Sequence, residues 1–388
     1  MEKILLALLG AKGDCVYGTT LAHQIKADNP ECHLVWAISS DCRDILRNNP
    51  HVDEVWEIPA DSHHGASSQW KPLMEEAHTL AGRGILNRVY PAQISPGNYQ
   101  NYDGTVRPSI MRAYGRPITV PMESHVVLTE EEIRKVEDFV ARHDIIHFPH
   151  RVLVECIGKS KQTHVTPDHA LRVAHLVLEK LPDACFIIST HQRLESDRAN
   201  MVQANALSYR ENLALAKYCT QLVGCGSGIS ALINTCAGAP VLPTIQLLAA
   251  DTSVYASPSH DFVYWGLDAN HFVEMWDSSP EETAQAVIAL CTTGLSATRK
   301  IFHRDPQIHF RMYTKSVTDK LLACGRIIDA AYSLSHVVTR YGWNNELLVL
   351  GEYIVSNIPQ EKLLLRQAHA VFIRDFCRSF TKALRNTA

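Results

Sequence analysis

The chain opens with an apolar run that stops at a glycine-containing turn and gives way to a helical pattern. Ile4–Leu9 has the length and composition of a buried strand, Gly10–Asp14 forms the turn, and a helix is expected around Tyr17–Asp28. A strand that passes through a short turn into a helix begins a parallel β-α-β unit, and such sheets bind ligands at the carboxyl ends of their strands. Asp14 therefore lies where ligands bind, although an aspartate here is equally typical of a helix cap.

This alternation of strand and helix continues and then starts a second time. Apolar segments at 33–38 and 52–59 extend the first run, and the strand 151–157 begins the second. We therefore predict an α/β protein in which two Rossmann-like parallel-sheet domains face a cleft. The predicted units are an N-terminal domain, 1–145, a second domain, 146–300, and a helical C-terminal extension, 301–388.

The segment 61–123 interrupts the first domain and is rich in Gly, Pro, Ser, Tyr and Asn. Long irregular insertions in compact domains are often binding loops. We therefore expect an ordered polar and aromatic binding surface here, to which Tyr99 and Tyr102 belong.

Composition and charge exclude several classes of protein. Apolar residues make up 46% of the 388 residues and charged ones 20%, as in ordinary globular proteins, and no stretch approaches the roughly 18 apolar residues of a membrane span. The start lacks the pattern of a signal peptide, so a cytoplasmic location is expected. Residues 301–388 hold twelve Lys and Arg against seven Asp and Glu, although the whole chain has a net charge of −4. This basic extension is expected either to pack on the body, to form a homo-oligomer, or to touch an anionic membrane peripherally; nucleic-acid binding is not expected.

Cysteine and histidine spacing gives no support to a metal site. The eleven cysteines include no Cys-x-x-Cys and mostly lie in apolar runs, where Cys acts as a small buried side chain. Histidine pairs such as His147 with His150, or His164 with His169, lack helical ligand spacing and a third ligand. We therefore predict no metal and no cofactor.

Two loops of the second domain are candidates for binding a diphosphate. The turn 224–230 follows a strand and starts a helix, so its amides and hydroxyls can approach a phosphate at a helix N-terminus. The loop 158–165 follows another strand of the same sheet and adds cations and hydroxyls. The predicted donor-binding residues are Lys159, Ser160, Lys161, Gly226, Ser227, Gly228 and Ser230. The alternatives are a tight turn that needs a positive φ at glycine, and surface lysines.

Nucleotide motifs narrow the chemistry. The chain has neither a Gly-x-Gly-x-x-Gly after its first strand nor a P-loop, which argues against NAD binding and ATP hydrolysis. It also lacks Asp-x-Asp, a common means of holding a metal on a sugar-nucleotide diphosphate, so cations and helix dipoles must replace the metal. We expect the donor on the second domain, the acceptor on the first, and Asp14 between them as a base. The predicted acceptor-binding residues are Lys12, Gly13, Tyr17, Tyr99 and Tyr102.

These motifs resemble the heptosyltransferase-like glycosyltransferases of family 9, which have the GT-B fold. The resemblance rests on Gly13-Asp14, on Asn49-Pro50 followed by Val52–Val55, and on the segment 212–241 with its Gly-Ser-Gly turn. It implies that Asp14 is the catalytic base. The chain departs from the family pattern at Gly226, where the family usually has Asp, and at Ala231, where it has His. Because both family residues contact the donor, the resemblance leaves the donor sugar open.

The resulting hypothesis is an inverting, metal-independent glycosyltransferase of bacterial surface glycan assembly. It would move a sugar from a nucleotide-sugar donor to a glycan, lipid-linked or protein acceptor, with Asp14 taking the proton of the acceptor hydroxyl. Two alternatives remain: a sugar-nucleotide epimerase of the same fold, and a non-catalytic protein that binds sugar nucleotides or assembles through its helical extension.

Overall fold

A computed structural model describes residues 1–60, 63–156, 162–190, 192–195, 198–359 and 368–387. Within these ranges the strands form two separate sheets, each wholly parallel. The strands are β1 (Lys3–Ala7), β2 (His33–Ser39), β3 (Glu54–Ile58), β4 (Arg88–Pro91), β5 (His150–Glu155), β6 (Ala184–Ser189), β7 (Met201–Gln203), β8 (Gln221–Gly224), β9 (Thr244–Leu248) and β10 (Phe272–Trp276).

In each sheet there is one position at which the order of successive strands reverses. The first sheet runs β3-β2-β1-β4 and the second runs β10-β9-β8-β5-β6-β7. Such switch points lie between β1 and β4 and between β5 and β8, and in open parallel sheets they are where ligands bind. The predicted class of two Rossmann-like parallel-sheet domains is confirmed by this topology.

The helices cover the faces of the two sheets and build the C-terminal extension. They are α1 (Lys12–Asp28), α2 (His63–Gly82), α3 (Val106–Arg112), α4 (Glu130–Arg142), α5 (Pro167–Lys180), α6 (Glu211–Ala216), α7 (Gly228–Thr235), α8 (Pro258–Tyr264), α9 (Pro280–Thr293), α10 (Leu295–Phe302), α11 (Arg311–Lys320), α12 (Ile327–Tyr341), α13 (Asn345–Asn357) and α14 (Ala368–Thr387). None of the helices in the described ranges is long and apolar enough to cross a bilayer.

Local sequence signals explain several helix starts. A capping box begins α4: the Glu132 amide donates to Thr129 Oγ1 at 3.1 Å, and the Thr129 amide donates to the Glu132 carboxylate at 2.8 Å. At α5 the cap residue Thr166 accepts from the His169 amide, and Pro167 occupies the first turn.

The change from the first to the second domain comes earlier than predicted. Helix α4 packs its apolar side, Val136, Phe139 and Val140, into the core of the second sheet beside Leu153 and Ile187. Helix α4 therefore belongs to the second domain, although it precedes the boundary predicted at residue 145. It packs on the second sheet because its apolar side chains form a stripe that this sheet covers.

The helical extension packs on the first domain. One core cluster joins Tyr99 and Tyr102 to Phe310, Tyr313 and Val317 and to the inner faces of α12, α13 and α14. The basic extension is thus at least in part a packing unit of the body, one of the alternatives expected from the sequence.

Arg210 holds the two domains together from a buried position. It is 2% exposed and contacts both oxygens of Glu132 at 2.7 and 2.9 Å. It also donates to the Asp44 carbonyl at 2.8 Å in the first domain and to the Val127 carbonyl in the connecting segment. Burial would raise the pKa of Glu132, but the Arg210 guanidinium and the Thr129 amide outweigh it and lower this pKa to about 2. This side chain thereby links the second domain to the first.

We expect Arg210→Met to lower the free energy of unfolding at pH 7 by about 3–5 kcal/mol, because it leaves the Glu132 carboxylate buried without its partner. The pKa of Glu132 is lowered by folding, so its contribution is present above the unfolded value near 4 and is lost as the pH falls towards 2. Urea unfolding at several pH values should therefore show the difference between wild type and variant shrinking below pH 4.

Arg134→Met is the matched control. Arg134 pairs with Glu130 at 3.4 Å on the exposed face of α4, the helix that also carries Glu132. Its effect should stay below about 0.5 kcal/mol. Equal effects of the two substitutions would contradict the role given to Arg210.

Candidate functional site

The carboxyl ends of both sheets open onto one cavity of about 770 Å³. Its wall includes the turn after β1 and the start of α1 on one side, and the end of β5, the turn after β8 and the start of α7 on the other. A cavity of this size between two domains is typical of a small-ligand site.

Asp14 lies in the wall of this cavity, in the first turn of α1. The helix begins at Lys12, earlier than the predicted start near Tyr17, and its cap residue Ala11 makes no side-chain capping bond. Asp14 is thus not the cap that the alternative interpretation required. Burial raises its pKa to about 7, and a hydrogen bond from the Ala11 backbone partly opposes this rise. A carboxyl with this pKa can both accept and release a proton near neutral pH.

Lys12, Gly13 and Tyr17 line the same cavity. The Lys12 ammonium lies 3.3 Å from Asp41 and 5.7 Å from the centre of the Tyr209 ring. A Cβ on Gly13 would lie 3.6 Å from the Gly228 Cα, so the predicted base turn and the predicted donor turn touch across the two domains.

Tyr99 and Tyr102 do not line the cavity, which corrects their expected role in acceptor binding. They are 8% and 4% exposed and lie in the core between the first domain and the helical extension. Their rings pack edge to face with centres 5.8 Å apart, and Tyr102 also packs on Tyr313. The polar and aromatic composition of this segment reflects its contact with the extension, which supplies partners that the local sequence does not show.

The predicted donor turn 224–230 also lies at the cavity. Gly226 has φ +71°, a conformation that favours glycine, and Ser227 is the cap residue of α7. Gly228 carries a carbonyl that accepts a hydrogen bond from Tyr209 at 2.7 Å. The positive φ that the structural alternative required at a glycine of this turn is therefore present, and the turn also faces the cavity.

Glu155, the last residue of β5, holds the N-terminus of α7. Its carboxylate accepts hydrogen bonds from the Cys225 amide at 3.1 Å, the Ile229 amide at 3.0 Å and the Ser230 hydroxyl at 2.5 Å, and from the Ser227 hydroxyl. The side chain is 1% exposed. A carboxylate of the chain thus occupies the position at which the sequence predicted a phosphate, because the amides and the dipole of a helix N-terminus favour any anion.

The remaining predicted donor residues, Lys159, Ser160 and Lys161, lie outside the described residues. Gln162, the next described residue, lines the cavity, and its carbonyl accepts from the Ala249 amide at 2.8 Å. The prediction for the lysine loop therefore stays a prediction.

Arg107 and Asp261 connect the two domains at the cavity and were not predicted. Arg107 on α3 is 1% exposed and lies 3.1 Å from Asp261 on α8, and its guanidinium packs on the Tyr17 ring. Burial raises the pKa of Asp261, and Arg107 partly opposes this. No local sequence pattern indicates this pair, because 154 residues separate the partners.

The described part of the cavity wall holds more acidic side chains than cations. Its acidic side chains are Asp14, Asp41, Glu155 and Asp261, and its cations are Lys12 and Arg107. Both cations already face carboxylates. A bound diphosphate would therefore depend on further cations, such as the two predicted lysines.

Two buried amides at the cavity have polar atoms without partners. Gln246 on β9 is fully buried, and neither its amide nitrogen nor its oxygen is hydrogen-bonded; the Asn212 side-chain oxygen is likewise unpaired. Buried polar atoms are nearly always paired in folded proteins. Both amides are therefore candidates for contacts with a polar ligand.

Comparison with known proteins gives similarity at the level of solved structures. No family model and no curated protein matches the chain. A glycosyltransferase family 9 protein of Veillonella parvula matches with 13% identity over 76% of this chain and 98% of its own, at a TM-score of 0.49. The Escherichia coli ADP-heptose LPS heptosyltransferase II matches with 13% identity over 75% of this chain and 99% of its own, also at 0.49. A putative UDP-N-acetylglucosamine 2-epimerase of Listeria monocytogenes matches with 7% identity over 82% and 96%, at 0.46. The first two proteins are from the family whose motifs this sequence resembles. The function proposed below is inferred from the residues of this chain's own cavity.

Proposed function

We propose that this protein is an inverting glycosyltransferase that uses a nucleotide-sugar donor. The observation that carries the proposal is Asp14, a carboxyl with a pKa near 7 in the wall of a cavity of about 770 Å³ between two parallel-sheet domains. An ordinary surface aspartate is almost wholly ionised at neutral pH and is a weak base. Burial makes Asp14 a stronger base without preventing its ionisation.

In the proposed reaction the acceptor hydroxyl attacks the anomeric carbon of the donor sugar. Asp14 takes the hydroxyl proton as the new C–O bond forms, and the bond from the anomeric carbon to the diphosphate oxygen breaks with its electron pair going to the nucleoside diphosphate. Attack from the face opposite the leaving group inverts the anomeric configuration. The proton then leaves Asp14 for solvent, which restores the base.

The leaving diphosphate gains negative charge, which needs positive groups on the second domain. In the proposal these are Lys159, Lys161 and the N-terminus of α7, with no metal ion on the diphosphate. Glu155 must release the α7 amides for a phosphate to bind them. The amide of Gln246 and the side-chain oxygen of Asn212, which have no partner, would contact hydroxyl groups of the sugar or ribose, or the nucleotide base.

The acceptor side of the proposal is coarser. Lys12, Gly13 and Tyr17 lie beside the base and would contact a glycan, lipid-linked or protein acceptor of surface glycan assembly. A peripheral contact of the basic C-terminal helices with an anionic membrane remains part of the proposal, as does self-association.

A thermal-shift panel of nucleotide sugars tests the proposal, because a ligand that binds the native state raises the unfolding midpoint by mass action. We expect one nucleotide sugar, at about 100 times its dissociation constant, to stabilise the protein by about 2.7 kcal/mol. The positive compound is then incubated with and without glycan acceptors, and the products are separated.

Transfer that requires an acceptor and inverts the anomeric configuration supports the proposal. An altered sugar nucleotide formed without an acceptor would instead identify an epimerase. A panel without any stabilising compound would contradict the sugar-nucleotide site.

A further inference from the structure

We propose that His23, His51 and His125 form a binding site for a divalent transition-metal ion such as Zn²⁺. The three residues come from α1, from the loop before β3 and from the segment that connects the two domains. Their ring nitrogens that could ligate an ion all lie within 4.8 Å of one another. Among the described residues this is the one group of three or more ligand side chains so closely placed.

Unpaired ring nitrogens are the second observation that points to a ligand. His23 Nδ1 and His125 Nε2 are buried from solvent and make no hydrogen bond. Two such atoms in one cluster are unusual, because buried imidazole nitrogens normally have a partner. A bound metal ion would give both of them one.

The surrounding hydrogen bonds hold the three histidines in place. The His125 amide donates to Thr19 Oγ1 at 2.7 Å, on the same helix as His23. The Asn49 amide group links the other two: its nitrogen donates to the His125 carbonyl at 2.9 Å, and its oxygen accepts from the His51 amide at 2.9 Å. The backbones of all three ligands are thus tied to one another before any ion binds, which favours tight binding.

A three-histidine coordination shell requires the rings to turn, because the nitrogen lone pairs of two stacked rings do not converge on one point. The rings of His23 and His51 stack with centres 4.2 Å apart, and His125 meets both edge-on, at 4.8 and 4.9 Å. Zn–N bonds of about 2.0–2.1 Å in a tetrahedron require nitrogens roughly 3.3 Å apart. In such a site a water molecule would be the fourth ligand.

The charges around the cluster permit a cation. Lys26 lies on the same helix but is paired with Asp53 at 2.7 Å, and Glu123 is the acidic neighbour of His125.

The position of the site indicates a structural role. His23 is nine residues after Asp14, about 13 Å along α1 at 1.5 Å per residue. His125 follows Ser124, which pairs with Cys236 of the second domain. A metal ion here would fasten α1 to the connection between the domains while leaving the cavity free, so this proposal stands independently of the glycosyltransferase proposal.

Metal titration of the full, tag-free chain tests the site. After removal of metal with a chelator, Zn²⁺ should bind with one ion per chain by calorimetry and raise the thermal midpoint. Co²⁺ should give a visible absorption spectrum typical of nitrogen and oxygen ligands, without a thiolate charge-transfer band, which separates this site from the exposed Cys324. Absence of one-to-one binding, or a thiolate spectrum, would overturn the proposal.

His51→Gln and His125→Gln should each weaken Zn²⁺ binding at least about tenfold and remove the Co²⁺ spectrum. The matched control is His147→Gln, at an exposed histidine paired with Asp144 at 3.0 Å, which should bind as wild type does. Unchanged binding in both cluster variants would also overturn the proposal. If a variant does not fold, the wild-type stoichiometry and Co²⁺ spectrum still decide it.

Discussion

Asp14→Asn is expected to lower the turnover number for sugar transfer by about 10²–10⁴-fold, the usual contribution of a positioned general base. Asparagine keeps the size and hydrogen-bonding shape of aspartate but cannot take the proton of the acceptor hydroxyl. Donor affinity should change by less than about threefold, because the base acts on the acceptor side. The measurement is steady-state transfer with the donor found in the nucleotide-sugar panel, together with donor calorimetry.

The pH profile distinguishes a base from a residue that only shapes the cavity. Because the pKa of Asp14 is raised to about 7, the wild-type kcat/KM should rise with pH and level off above about 7, where the carboxylate is ionised. The variant should lack this limb. A profile with the same limb in both proteins would assign it to another group.

Stability provides the control for misfolding. Since the folded pKa of Asp14 exceeds the unfolded value near 4, the native state binds more protons between pH 4 and 7, and stability falls as the pH rises through this window. Asparagine carries no charge and avoids this cost. At pH 8 the free energy of unfolding of the variant should therefore equal that of wild type or exceed it by up to about 4 kcal/mol. Asp28→Asn, at the other end of the same helix beside Tyr114, should leave transfer unchanged. Near-normal transfer by Asp14→Asn would rule out the assigned base.

Much of the architecture could be predicted from local pattern. Apolar strands alternate with helices in both halves, and the sequence motif of a capping box, Thr129 to Glu132, stands at the start of α4. The position of Asp14 at the cavity could also be predicted locally. Open parallel sheets bind ligands at the carboxyl ends of their strands, so the end of one strand is enough to place it. The start of α1 was missed because Gly13 and Asp14 are typical of turns, whereas here they form the first helical turn.

The features that the sequence did not predict depend on contacts between segments that are distant in the chain. Tyr99 and Tyr102 have the composition of a binding loop, and only the helices after residue 310 show that they are core residues. Arg107 and Asp261 meet across 154 positions, and the three clustered histidines lie on separate elements. The role of Glu155 could have been predicted from the sequence, because this residue ends the strand beside the switch point of the second sheet. An acidic residue at the end of an otherwise apolar strand indicates a carboxylate at that edge of the sheet.

Glu155→Gln is expected to tighten the binding of the matching nucleoside diphosphate by at least about tenfold. In wild type the carboxylate holds the Ile229 amide and the Ser227 and Ser230 hydroxyls, the groups proposed for the phosphate. Two unit charges 4 Å apart interact by about 4 kcal/mol at an effective dielectric constant of 20, so a phosphate beside this carboxylate is strongly disfavoured. Glutamine removes the charge and binds the helix N-terminus less strongly. Calorimetry with ADP, UDP and GDP on both proteins measures the change.

The substitution also has a structural cost, which its control must match. The side-chain nitrogen that replaces one carboxylate oxygen would face the Cys225 amide, so one buried donor loses its acceptor at a cost of about 1–3 kcal/mol. Glu274→Gln is equivalent in this respect: Glu274 is fully buried on β10 and accepts from Ser257 Oγ and the Ser259 amide, but it is not part of the cavity wall. It should lower stability similarly without changing nucleotide affinity. If Glu155→Gln instead weakens nucleotide binding while Glu274→Gln does not, Glu155 is itself a ligand of the nucleotide, and the phosphate must bind elsewhere than at the start of α7.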